Sequence, residues 1–295
     1  MFKFSHIPSL ENFRGMLSLR SFTFLYILIL FSSCAPKSIL LDHPRIVSFY
    51  FERNISSLEK NNSGDLKDKR QILKTKVEYS YGVIMEENDR LIDNEYLKAL
   101  QGYKKANILF NESKILSKEI LNEKYPNFEE WLSNKIIIEF NKADIFDLYW
   151  LAAATGGSIK SSRGNPFELI YLPQVKKLLN TAIAIEPTWG SGALYSALLT
   201  YTTSRTDLTT DALRDSVNYY FNKAVEVSDS LDASPFLTYA ESIHKPFQEK
   251  KEFEDKLNFI LKMDNKRSSN FELSNLIAKK RAEWLLSKLD EYFIE

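Results

Sequence analysis

Residues Leu148-Tyr149-Trp150-Leu151-Ala152-Ala153-Ala154-Thr155-Gly156-Gly157 hold no charge, many small side chains and two large aromatics. A stretch of this kind predicts a buried central helix. Ala and Gly let neighbouring backbones approach closely, while Tyr149 and Trp150 supply the apolar surface an interior needs. Leu148, Leu151, Ala152, Thr155 and Ile159 fall at helical spacing and form one stripe. The opposite face is nearly as apolar, so neighbours are expected on more than one side.

The rest of the chain agrees with an all-α fold. Nine Gly and nine Pro occur in 295 residues, and alternating β-branched runs are hard to find. An apolar share of 44% is enough for a real core, so disorder is not the expectation. Thirty-nine basic residues balance thirty-nine acidic ones, which supplies no excess of positive charge for a nucleic-acid backbone. No nucleic-acid partner is expected.

Residues 1–33 read as an export signal, with Arg14 and Arg20 before an apolar run from Phe22 to Phe31. That run is too short to span a bilayer as a mature helix. Met16 is an alternative start that would trim the signal to ordinary length. Phe31-Ser32-Ser33-Cys34 resembles a bacterial lipobox, loosely at Phe31 and Ser32, and Cys34 is the only cysteine of the chain. The expected product is a lipoprotein acylated at Cys34, stably attached because each buried methylene contributes about 0.8 kcal/mol. A plain signal peptide with an incidental cysteine and an uncleaved anchor are the alternatives. Residues 34–44 would form the tether and 45–295 a single α-helical domain. Removing residues 1–33 leaves 36 basic and 38 acidic side chains, so the mature chain stays near neutral. Ala35 stands where an aspartate often marks inner-membrane retention, which tilts the expectation toward the outer membrane.

A degenerate repeat runs through the remainder. Gln71 to Arg90 is predicted as a helix with Leu73, Val77, Tyr81 and Ile84 on one face. The sets Ala99/Tyr103/Ala106, Val175/Leu179/Ala182, Val217/Phe221/Ala224 and Phe253/Leu257/Ile260 all sit at i, i+4 and i+7. Five residues after each set stand Asn111, Pro187, Asp229 and Asn265, read as helix stops or caps. This approaches tetratricopeptide (TPR) spacing, with stacked antiparallel helix pairs, although the later copies lie 42 and 36 residues apart against a usual 34. Residues 125–131 are an insertion. Ser234-Pro235 is expected to open a helix, Ser269 to Glu272 to form a capping box, and a last helix with Leu273, Leu276, Ile277, Trp284 and Leu285 to cover the stack.

Chemistry has few candidates. The chain lacks a Walker glycine loop, a His-Glu-x-x-His and a Gly-x-Ser-x-Gly motif. After cleavage only His43 and His244 remain, which excludes a three-histidine metal site. His244 is read as dipole-capping at a helix end. Asp144 and Asp147, one turn apart, are read as caps before a cation site. Arg163 lies in a turn-forming loop. Arg205 and Glu241 stand on otherwise apolar helices, where a charge must find solvent or a partner. A structural ion pair is the first reading for each, and the lining of a ligand channel the second.

Several segments in order resemble the T-component lipoproteins of tripartite ATP-independent periplasmic (TRAP) transporters. They are Leu148 to Ala154, Leu172-Pro173, Glu186-Pro187, Gly192-Ala193, Ser204-Arg205, Phe221 to Ala224, Thr238 to Ser242, Phe253-Glu254-Asp255 and Arg281 to Leu286. The resemblance covers roughly Leu73 to Phe293 and departs from the family at Thr155, where a tryptophan is frequent, and in a less basic helix around Ala99. It implies TPR-like motifs, a homotrimer, a channel through each protomer, and a periplasmic solute-binding P component as partner, with a small organic ligand passed between them. The expectation is therefore a non-enzymatic, lipid-anchored accessory subunit facing the periplasm, without cofactor or metal. Trp150, Arg205 and Glu241 are the candidate ligand or channel residues. A general envelope scaffold binding peptides or assembly partners is the alternative, and a hydrolase the third and least supported reading.

Overall fold

Helix α6 (Ile145–Ser161) is the element around which the first part of the fold packs, while the last helices share a core of their own built on Phe253, Leu257, Ala282 and Leu285. The computed structural model describes residues 43–264 and 270–294. Among these there are helices and connecting loops and no strand. Cys34, the signal, the tether up to Asp42, Asn265 and Ser269 lie outside the described residues.

A capping box starts the short 3-10 turn Lys142–Asp144 that leads into α6: the Asn141 Oδ1 accepts the Ala143 N–H at 3.0 Å, and the Asn141 N–H donates to Asp144 Oδ2 at 2.9 Å. Helix α4 (Tyr96–Lys124) lies along one side of α6 and α8 (Leu172–Ile185) along another. Leu148, Leu151, Ala152, Thr155 and Ile159 are buried, as the stripe predicts. Small residues set the spacing: Gly157 lies so close to the Phe110 ring of α4 that a Cβ there would stand 2.3 Å from it.

Three helices precede α4: α1 (Pro44–Lys60), α2 (Leu66–Tyr79) and α3 (Glu86–Leu91). The predicted helix from Gln71 to Arg90 begins earlier, where Asp65 accepts the Asp68 N–H at 2.8 Å, and it is interrupted. Residues Ser80–Met85 form a π turn between α2 and α3. Ser80 Oγ donates to the Lys76 carbonyl at 2.7 Å within it. The extra residue of a π turn rotates the helical segment on its C-terminal side. Leu73, Val77 and Ile84 are buried as expected, whereas Tyr81 is only half-buried and donates to the Ala153 carbonyl of α6 at 3.0 Å.

The four repeat sets face inward; all their members are buried except Phe221, which is half-buried. Two of the stops hold: Pro187 stands just past the end of α8, and Asp229 just past α10 (Thr210–Val227) with φ at 51°. Asn111 is a correction. It lies inside α4, which runs on to Lys124, and its Nδ2 donates to the Asn107 carbonyl at 3.0 Å, so its amide is satisfied without ending the helix. Residues 125–141 form the insertion, with α5 (Phe128–Leu132) and a non-helical return whose Phe140 packs against Trp131 at 4.8 Å.

After α7 (Pro166–Leu169), α8 and a 3-10 turn (Trp189–Gly192), α9 (Ala193–Thr203) pairs with α10. Helix α11 (Ser234–Tyr239) carries Pro235 in its first turn as predicted, but Ala233 holds the cap position. The capping oxygen is instead Asp232 Oδ1, which accepts the Ser234 N–H at 2.9 Å. A second π turn, Ala240–His244, continues α11, and α12 (Lys250–Lys262), α13 (Glu272–Leu286) and α14 (Leu289–Tyr292) complete the order.

Helix α13 matches the predicted face only in part: Leu285 is buried and Leu276, Ile277 and Trp284 are half-buried, but the inward stripe is centred elsewhere. Asn275, Ala278, Arg281, Ala282 and Leu285 point inward, and Leu273 is 43% exposed. Polar residues can occupy that face because partners from distant helices satisfy them. The Asn275 Oδ1 accepts the Ala233 N–H at 2.8 Å and its Nδ2 donates to the Leu231 carbonyl at 2.7 Å. On the same helix, Ile277 meets Gly82 of the first π turn: a Cβ on Gly82 would stand 3.1 Å from Ile277 Cδ1. The last long helix thus returns to the second, and the stack closes on itself.

Candidate functional site

Two groups of side chains stand out from the core around this closure. The first is ionic. Arg281, buried on α13, forks onto Glu241 of the second π turn, with Nε–Oε1 at 3.0 Å and Nη2–Oε2 at 2.8 Å. Asp89 of α3 lies 3.6 Å from Nη2 and Glu86 lies 3.9 Å from Nη1. Burial works against the charged guanidinium, but the charge and hydrogen bonds of Glu241, then the charges of Glu86 and Asp89, outweigh it and raise its pKa. Burial pushes the Glu86 carboxyl up. Arg281 Nη1, Glu86 Oε2 and Arg90 Nε are buried without a hydrogen-bond partner. Tyr103 of α4 extends the cluster, donating to Asp89 at 2.5 Å, and Arg163 lies over its ring at 4.8 Å. The loop that carries Arg163 therefore places it on an aromatic face.

The second group is aromatic. Phe146, Tyr149, Trp150, Ala153 and Gly156 form the half-open stripe of α6, at i, i+3, i+4, i+7 and i+10. Trp150 meets Tyr149 edge-on at 5.3 Å and Phe146 at 5.9 Å; Tyr149 reaches Trp189 at 5.0 Å. Tyr149 keeps accessible surface, yet burial, then the nearby charges of Asp232 and Glu78, push its hydroxyl up to about 12. Glu78 shows the same combination: its side chain is 45% accessible, and burial still raises its pKa.

The sequence candidates fall in different places. Trp150 belongs to the aromatic stripe and Glu241 to the ionic cluster. Arg205 belongs to neither: it stands beyond the end of α9 and forks onto Asp207 of its own loop, Nε–Oδ1 at 2.9 Å. Asp144 is a cap that also binds Lys124 at 2.5 Å and Tyr125 at 2.7 Å, while Asp147 takes a fork from Arg70, with Nε–Oδ1 at 2.8 Å. His244 ends its π turn, but its Nδ1 pairs with Glu249 at 2.7 Å rather than with helix carbonyls. Among the described residues no group of three His, Cys, Asp or Glu side chains could hold a metal ion.

A family model described as "TRAP transporter T-component" matches residues 59–293. The chain belongs to the TRAP transporter T-component family. Members of this family are accessory subunits of a transporter in the cell envelope. This T component is also similar to an "Uncharacterized protein" of Treponema pallidum (strain Nichols), 19% identical over 215 residues that cover 70% of the chain and 65% of the relative. The chain thus spans a little under two thirds of that relative's length.

Sequence reasoning missed Arg281, Glu86 and Asp89 as members of the ionic cluster. The signal present was an arginine between Ala278 and Ala282 on a helix, and two acids three apart; their meeting depends on closure of the stack.

Proposed function

We propose that this chain is a non-enzymatic, lipid-anchored T component, acylated at Cys34 and facing the periplasm from the outer membrane. In this reading a homotrimer docks a solute-binding P component and passes a small organic ligand through an enclosed space in each protomer. The observation that carries the reading is the family match over residues 59–293, and the half-open aromatic stripe of Phe146, Tyr149 and Trp150 on α6 offers apolar surface for an organic ligand. The acids and histidine that chemistry would need are tied elsewhere: Asp144 to Lys124, Asp147 to Arg70, His244 to Glu249. Among the described residues no helix is long and apolar enough to cross a membrane.

The test is calorimetric titration with a TRAP-type solute-binding protein from the same cell, with and without its ligand. Trp150→Ala, Arg205→Ala and Glu241→Gln are compared after circular dichroism confirms their folding. The reading expects binding by the parent and a measurable change in ligand-dependent affinity for Trp150→Ala and Glu241→Gln. Any variant that keeps full affinity for partner and ligand is removed from the site, and absence of binding by the parent overturns the reading.

A further inference from the structure

Helix α1 presents two unlike faces. Val47, Phe51 and Ile55 turn inward, and Phe51 stacks on Tyr79 of α2 at 5.2 Å. The outward face carries Ile46, Phe49 and Tyr50, 55%, 63% and 65% exposed, then Arg53, Ser57 and Lys60 one to three turns on. Its acids lie to the side and are occupied by the body of the protein. Glu52 takes Lys105 at 2.5 Å and the Tyr79 hydroxyl at 3.0 Å, and Glu59 takes Lys76 at 2.7 Å. Arg45, Arg53 and Lys60 pair with no carboxylate among the described residues. The outward face is therefore apolar at its start, cationic along its length, and free of acids.

We propose that this face of α1 lies on the bilayer, with Ile46, Phe49 and Tyr50 at the level of the headgroups and Arg53 and Lys60 against anionic phosphates. The proposal rests on the acylation of Cys34 in the reading above. Nine residues lie between Cys34 and Pro44, and the ten steps from one to the other span at most about 36 Å. The helix is thus the first element of the described fold that an anchored chain brings to the membrane. Amphipathic helices with aromatic and aliphatic residues on one face and basic residues beside them settle in the interface, and an anchor removes most of the entropic cost of doing so.

The experiment uses the full chain, purified from membranes and reconstituted in vesicles of phosphatidylethanolamine and phosphatidylglycerol. A nitroxide is attached at Tyr50→Cys, and separately at Tyr219→Cys on α10, which is similarly exposed. Sedimentation with the vesicles reports the anchor. Power-saturation accessibility to oxygen and to a nickel chelate reports depth. The proposal expects the label at 50 to gain oxygen and lose nickel accessibility several-fold relative to the label at 219. It also expects Ile46→Ser/Phe49→Ser, which leaves Ile55 untouched, to abolish that difference. A chain that sediments while both labels remain equally open to nickel overturns the membrane face and leaves the anchor standing. Spin–spin broadening at 50 means a second copy covers the face and also overturns it. A chain that does not sediment refutes the anchor and the proposal with it.

Discussion

Gly156 and Gly157 are adjacent in one helix, and the structure predicts opposite consequences for the same added methyl. A Cβ on Gly157 would stand 2.3, 2.4 and 2.5 Å from three ring atoms of Phe110, a side chain with no exposed surface. Restoring an ordinary contact requires α4 and α6 to separate by about 1 Å across the tightest part of the core, and overpacking of this kind costs about 1–3 kcal/mol. Alanine recovers about 1 kcal/mol of helix propensity over glycine. With no free space beside Phe110 the upper part of the range applies, so Gly157→Ala should destabilise by about 2 kcal/mol. At Gly156 the new methyl meets the Tyr81 hydroxyl at 3.6 Å, an ordinary contact, and the propensity gain of about 1 kcal/mol stands alone. For a domain of this size, thermal unfolding monitored by circular dichroism should show Tm falling by about 4–8 °C for Gly157→Ala and rising by about 2–4 °C for Gly156→Ala. Phe110→Leu should partly rescue Gly157→Ala, with a coupling of about 0.5–3 kcal/mol. If Gly157→Ala raises Tm as Gly156→Ala does, the close approach of α4 and α6 is wrong.

The charged groups give two further outcomes. Arg281→Met leaves the half-buried Glu241, Asp89 and Glu86 facing one another across a buried apolar side chain, and loss of the buried partner of such a cluster costs up to about 3 kcal/mol. Burial already raises the Glu86 pKa and the Arg281 charge opposes that rise, so without the guanidinium the penalty is largest at neutral pH and shrinks as acid protonates Glu86, which denaturant titrations at falling pH will register; a pH-independent penalty contradicts the cluster. Asp144 has the opposite sign. Burial raises its pKa, but hydrogen bonds from Lys124, the Asn141 N–H and Tyr125 prevail and hold it below the usual 3.8, so its contribution is complete above that value and disappears as pH falls through the folded-state pKa. Asp144→Asn should therefore cost about 1–3 kcal/mol at pH 7 and nothing in strong acid, by the same titrations; an equal cost at both would refute the assignment.

Much of the fold was legible because it depends on local pattern. The uncharged run Leu148–Gly157 specifies a buried helix in any context, and the four apolar sets declare which face of each helix turns inward. The misreadings share a cause, the satisfaction of polar groups by partners that sequence does not reveal. Asn111 looked like a stop, yet its amide bonds back to Asn107 within a continuing helix. Leu273 and Leu276 looked like the inner face of α13, while Asn275 and Arg281 take that place, Arg281 through Glu241 forty residues away. The π turn at Ser80–Met85 left no mark in composition, and it redirects Tyr81 to α6. Trp150 and Glu241 stand out because an aromatic among alanines and an acid on an apolar helix are conspicuous, and they lie in the aromatic stripe and the ionic cluster; Arg205 was equally conspicuous and forms a loop pair with Asp207.

The central claim is that this T component holds a P component and transforms nothing. Cross-linking in intact cells, then purification through the full-length chain and mass spectrometry, tests it most directly. The account predicts one TRAP-type solute-binding protein in stoichiometric amount, with no substrate consumed by the purified pair. A spread of unrelated envelope proteins in its place, or turnover of a substrate by the chain alone, would contradict it.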